Sequence, residues 1–86
     1  MSEERLKYFV KLAQIELELV ISDWPPFHDK YEAYAHILRE LGELWDAIKD
    51  NEETEMIHEA LQVAAMAIKF CIDSETFSSL NMKEAR

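Results

Sequence analysis

The sequence predicts an all-α fold, and three observations carry that expectation. One glycine and two prolines among 86 residues leave few places for the chain to turn. Apolar residues recur at i, i+3, i+4 and i+7 over long stretches, the repeat of amphipathic helices. The third such stretch is apolar around most of its circumference and needs cover on several sides. Together these predict an antiparallel helical hairpin, over about residues 30–73, that forms a four-helix bundle by homo-oligomerisation. At this length a single domain over 1–86 is expected.

The first helix is expected over about residues 3–21. Leu6, Phe9, Val10, Ala13, Leu17, Val20 and Ile21 form its apolar face, with Ser2 in the N-cap region. Residues 22–28 interrupt the repeat. Pro25 and Pro26 remove backbone donors and force their neighbours into extended geometry. Asp29 then caps a second helix over about 30–50. Its expected apolar face is Ala33, Tyr34, Ile37, Leu41, Leu44, Trp45 and Ile48. Gly42 falls inside this helix at a cost of roughly 1 kcal/mol against Ala. Such a glycine suits close approach by another helix, a ligand or a neighbouring subunit.

The segment DNEET is the expected helix–helix turn. A third helix over about 54–73 confines Glu55, Glu59, Gln62, Lys69 and Asp73 to one narrow stripe. Ala60, Ala64 and Ala67 permit close helix packing. Two neighbours from so short a chain can hardly cover the rest, so a homodimer or a dimer of dimers is expected. A shorter last helix is expected over 74–85, anchored by Phe77 and Leu80.

Composition bounds function. The chain is 49% hydrophobic, which is ample for a domain that buries only about 60–65% of its unfolded surface. Its net charge of −9 argues against binding nucleic-acid backbone or an anionic membrane through bulk electrostatics. No apolar run approaches the ~18–20 residues of a membrane span. Cys71 is the only cysteine, so no intrachain disulfide is expected, and a buried thiol in a reducing compartment is. The start MSEERLKYF lacks an apolar signal region, so a cytoplasmic location is expected.

Two acidic pairs stand out. Glu40 and Glu43, and Glu59 and Gln62, are each spaced i,i+3, on one helix face. Positions 40 and 62 average to 51, and so do 43 and 59. A hairpin turning at Asn51 therefore sets Glu43 level with Glu59 and Glu40 level with Gln62. E-x-x-E alone is usually a solvated face. Here, however, Glu59 and Gln62 lie on an otherwise apolar helix, and each carboxylate pair at ~5 Å repels by roughly 3 kcal/mol at an effective dielectric near 20. A cation relieves that repulsion, and oxygen-only donors suit Mg²⁺ or Mn²⁺.

With those residues in view, the stretch over about 27–73, AYAHILRELGELWDAIK followed by HEALQVAAMAIKF, resembles the MazG-like, all-α nucleoside triphosphate pyrophosphohydrolases. The resemblance covers a little over half the chain. That family carries an E-x-x-E pair, a variable gap and an E-x-x-D pair on antiparallel helices. Glu40, Glu43 and Glu59 match the first three positions, and Gln62 stands where the family has Asp. The resemblance implies a nucleotide substrate and Mg²⁺ at these four positions. It implies cleavage between the α and β phosphates of a nucleoside triphosphate, giving a monophosphate and pyrophosphate. Glu40, Glu43 and Glu59 are then the catalytic carboxylates, with the general base among them. A neutral amide at Gln62 can ligate Mg²⁺ but adds no charge. The alternative is therefore a non-catalytic MazG-like binding module with a degenerate metal site.

Other residues carry less. Asp46 is a candidate neighbour of the metal ligands, nearer the turn. His36, four positions before Glu40, is a candidate ligand or water contact; the blander expectation is a partly exposed helix histidine. Lys30, Arg39 and Lys69 are candidate phosphate contacts, against the commoner role of surface charge. Glu55 and His58 form an E-x-x-H pair, which a di-iron bundle would need twice. Trp24, Phe27 and Trp45 suit base stacking, though such aromatics more often pack.

Overall fold

A computed structural model describes residues 2–77. Three long helices follow one another, α1 (Glu3–Asp23), α2 (Lys30–Lys49) and α3 (Glu53–Asp73), and a single 3₁₀ turn (Ser74–Thr76) follows them. The described residues contain no strand, so the fold is all-α. No helix among them is long and apolar enough to cross a membrane.

Local chemistry sets the helix ends. The Ser2 hydroxyl accepts the Arg5 N–H at 3.0 Å and caps α1. That helix runs two residues past its expected end because the block acts only at Trp24, which is extended before Pro25. At the start of α2, Asp29 accepts the Glu32 N–H at 2.8 Å, and Glu32 reaches back to accept the His28 N–H at 2.9 Å. This reciprocal arrangement is close to a capping box. Asn51 makes the α2–α3 turn with φ of 58°. Its N–H donates to the Ile48 carbonyl, and the Glu52 N–H donates to the Ala47 carbonyl. This is the Schellman pattern, with Asn in the left-handed position that usually takes Gly. The chain thus reverses at the residue the acidic spacing predicts.

Contacts fix the directions. Glu16 meets Gln62 and His58, Val20 shares a core with Met66, and Pro25 meets Lys69. Residue numbers rise together, so α1 runs parallel to α3 while α2 runs antiparallel to it. α3 is the middle helix: both others pack along it and scarcely touch one another. The core comprises Val20, Phe27, Ala33, Met66 and Phe77, with Ile37 and Phe70 packed against it. It lies at the end of the bundle away from Asn51.

Three expectations need correction. The last helix expected over 74–85 does not form over 74–77, where a 3₁₀ turn stands instead. The Ser74 hydroxyl donates to the Cys71 carbonyl and the Thr76 hydroxyl to the Asp73 carbonyl, side-chain bonds that compete with helix. Phe77 then turns extended and buries its ring edge-on to Phe70 at 5.3 Å. The remainder of that expected helix, including Leu80, lies outside the described residues.

The second correction concerns the face of α2. Ala33, Glu40 and Ala47 are buried, with Ile37 and Leu44 half-buried, whereas Tyr34, Leu41, Trp45 and Ile48 are exposed. The two alanines let α3 lie close, and the bulky side chains are turned aside. Cys71, expected in the core, is exposed as well.

Candidate functional site

α2 presents Glu40 and Glu43 from successive turns, and α3 meets them with Glu59. One carboxylate oxygen from each lies within 4.8 Å of the others. Glu40 is only 6% exposed, Glu59 is half-buried and Glu43 is open to solvent. The cluster is thus buried at one end and open at the other.

Electrostatics follow from that placement. Burial, hydrogen bonding to Glu43 and the charges of Glu43 and Glu59 raise the Glu40 pKa from 4.5 to about 6, partly offset by Arg39. The Arg39 guanidinium lies 3.6 Å from Glu40 and is half exposed. Arg39 is thus the cation beside Glu40, in a group that holds three carboxylates.

Glu40, Glu43 and Glu59 are the described residues that could hold a hard divalent cation. Oxygens bound at ~2.0–2.1 Å in an octahedron span up to about 4.2 Å across the ion. Adjacent ligands lie closer than that, at about 3 Å, so the three carboxylates, with oxygens within 4.8 Å of one another, would have to draw together to share one ion. The donors are all oxygen, which suits Mg²⁺ or Mn²⁺ better than zinc.

The fourth expected ligand has a different neighbour. The Gln62 side-chain N–H donates to the Glu16 carboxylate of α1. His58 Nδ1 lies 3.9 Å from the other oxygen of Glu16, whose side chain is 18% exposed. Sequence reasoning missed Glu16. The signal was present: it sits between Ala13 and Val20 on the apolar stripe of α1, where a carboxylate must find a partner.

Other expected residues lie elsewhere. Lys69 is 1% exposed, paired with Asp73, and its ammonium donates to the Pro25 carbonyl at 3.0 Å. It lies 4.0 Å from the centroid of the Phe27 ring, over its face. A lysine so engaged holds the α1–α2 linker and is not presented to a phosphate. Lys30 sits over Tyr31 at the start of α2, about 15 Å along the helix from Glu40. Asp46 pairs with Lys49 at 3.3 Å on the surface.

His36 stacks on Phe27 at 5.3 Å and meets Trp24 edge-on at 5.6 Å. Arg39 lies 6.0 Å from the Trp24 ring. His36 and Arg39 also line a shallow depression of about 250 Å³ with Glu32 and Ala35, one turn from Glu40. Trp45 is exposed.

No protein-family model matches this chain, and neither does any curated protein or solved structure.

Proposed function

We propose that this protein is a Mg²⁺-dependent nucleotide pyrophosphohydrolase, cleaving a nucleoside triphosphate or a related nucleotide to a monophosphate and pyrophosphate. The observation that carries the proposal is the convergence of Glu40, Glu43 and Glu59 within 4.8 Å, from two helices, around a buried carboxyl. The resemblance to MazG-like enzymes rests on these same residues and supplies the reaction. Glu40, Glu43 and Glu59 would hold the ion, with Gln62 as a neutral oxygen donor. Bound there, Mg²⁺ (or Mn²⁺) supplies neutralisation of phosphate charge and a more acidic water. Glu43, the most exposed of the three, is best placed to exchange protons with solvent or substrate. Arg39, beside Glu40 and half exposed, is the nearest cation for a phosphate oxygen.

A four-helix assembly belongs to the same proposal, as a homodimer or a dimer of dimers. It is supported by the stripe Tyr34, Leu38, Leu41, Trp45 and Ile48, each at least 44% exposed. Gly42 lies beside this stripe with nothing within 4 Å of where a Cβ would stand. A second copy of α2 laid over Gly42 would cover it.

One observation favours a second reading. Gln62 is neutral and adds no negative charge at the fourth position, which suits a non-catalytic module with a weakened metal site. The test is pyrophosphate release from each nucleoside triphosphate, with and without Mg²⁺ or Mn²⁺. Metal-dependent release supports the enzyme. Absence of release with every nucleotide, in protein that binds the ion, leaves the binding module.

A further inference from the structure

The geometry points to Glu16 as a positioning residue for that site: by accepting the Gln62 N–H, it fixes which end of the amide faces the acidic group. The inference rests on the metal reading above and adds a residue from a third helix to it.

A carboxylate accepts hydrogen bonds and cannot donate them, so only the NH₂ end of Gln62 can face Glu16. The carbonyl oxygen is thereby turned away from α1. Its direction follows from position on α3. At ~100° per residue, Gln62 lies about 40° from His58 and about 60° from Glu59, on the arc between them. His58 faces Glu16 on α1, and Glu59 faces Glu40 and Glu43 on α2. An amide whose nitrogen is drawn towards α1 carries its oxygen on the α2 side, where the three carboxylates converge. A free amide could present either end, and a nitrogen there would repel a cation. Glu16 accepts from Gln62 at one oxygen, and His58 Nδ1 lies 3.9 Å from the other. Partners that orient a ligand in this way commonly govern metal affinity by ~10–100-fold.

The test is Mn²⁺ affinity by titration calorimetry, with metal-free melting alongside. Glu16→Ala is expected to weaken Mn²⁺ binding about tenfold, and Gln62→Ala to do the same. The double variant should lose no more than either single one, because both remove the same oriented oxygen. Glu16→Gln removes the charge but keeps an oxygen that accepts the Gln62 N–H, so affinity should stay within about twofold of wild type. Equal losses for Glu16→Gln and Glu16→Ala would instead assign the effect to charge and overturn the positioning role. So would additive losses in the double variant, or a Glu16→Ala protein that binds like wild type. If Glu16→Ala does not fold, Glu16→Asp, which shortens the reach and keeps the charge, should weaken binding in the same direction. Wild type that binds no Mn²⁺ overturns the metal reading together with this role, whereas the other results separate the two.

Discussion

Lys69 and Asp73, one turn apart on α3, are paired and sealed from solvent, yet their other hydrogen bonds go to the linker between α1 and α2. Lys69 donates to the Pro25 carbonyl, and Asp73 accepts the Phe27 N–H at 2.9 Å across 46 residues. The pair is an anchor for a proline-rich segment that has no helix of its own. Removing one partner strands a buried charge, so Asp73→Ala or Lys69→Ala is expected to cost about 3–5 kcal/mol in urea unfolding. Lys69→Met with Asp73→Leu should cost less than either alanine variant. A loss below 1 kcal/mol for Asp73→Ala would contradict the anchor.

The pH dependence of the metal-free protein should report Glu40. Its folded pKa of about 6 stands above the ordinary 4.5. Below 4.5 the group is protonated in both states and contributes nothing. From 4.5 to about 6 the unfolded chain ionises first, so stability falls as pH rises. Above 6 the deficit is constant, at most about 2 kcal/mol. Urea midpoints should therefore be higher at pH 5 than at pH 7, and Glu40→Gln should remove that part of the difference. A variant with the wild-type profile would show that Glu40 is not the group responsible.

Mg²⁺ or Mn²⁺ should raise the melting temperature, by the equivalent of about 2.7 kcal/mol at a hundredfold excess over Kd. Glu43→Gln or Glu59→Gln should abolish the shift and any pyrophosphate release. Gln62→Asp should tighten binding by restoring a fourth charge. Glu4, exposed in the first turn of α1, is the control, and Glu4→Gln should change nothing. A melting temperature indifferent to both ions would refute the metal site.

The turn offers a test independent of function. Asn51 has φ of 58°, a conformation that costs an ordinary L-residue roughly 1–2 kcal/mol. Asn51→Gly should be neutral or slightly stabilising, and Asn51→Val should lose about 1 kcal/mol or more. Thermal melts at one protein concentration decide it, and a stabilised Asn51→Val would count against the turn.

Gly42 discriminates a bare helix face from a packed one. In a lone chain a Cβ there meets nothing, and Gly42→Ala should gain roughly 1 kcal/mol from helix propensity. Under a second copy of α2 the same methyl would obstruct close approach and lower the dimer fraction in sedimentation velocity. A stabilised monomer with wild-type association behaviour would remove the close helix crossing from the proposal.

The order and most boundaries of the first three helices were legible because apolar spacing and the Asp29, Pro25 and Asn51 signals are local. The meeting of Glu40, Glu43 and Glu59 was legible for the same reason: a three-residue turn fixes register over the next two turns on each side. The partner of Gln62 was not, because it depends on where α1 docks, and nothing near Gln62 encodes that. The buried face of α2 was misjudged on similar grounds. Periodicity finds the apolar arc of a helix, but small residues such as Ala33 and Ala47 decide which part of it lies against a neighbour. Lys69 was read as surface charge because its partners, Pro25 and Phe27, are more than 40 residues away.

The middle position of α3 bears on the order in which this molecule is made. α1 and α2 leave the ribosome before α3, the helix that both pack against among the described residues. Until α3 follows, Leu6, Phe9 and Val20 of α1 and Ala33 and Ile37 of α2 have no lasting surface to meet. The hairpin of α2 and α3 can close as soon as residue 73 is out, since its loop is short and loop closure is cheap. α1 is joined through the longer Pro25–Pro26 linker, and its docking brings Glu16 to Gln62. A chain that ended before α3 would therefore leave the inward faces of α1 and α2 without the surface they pack on.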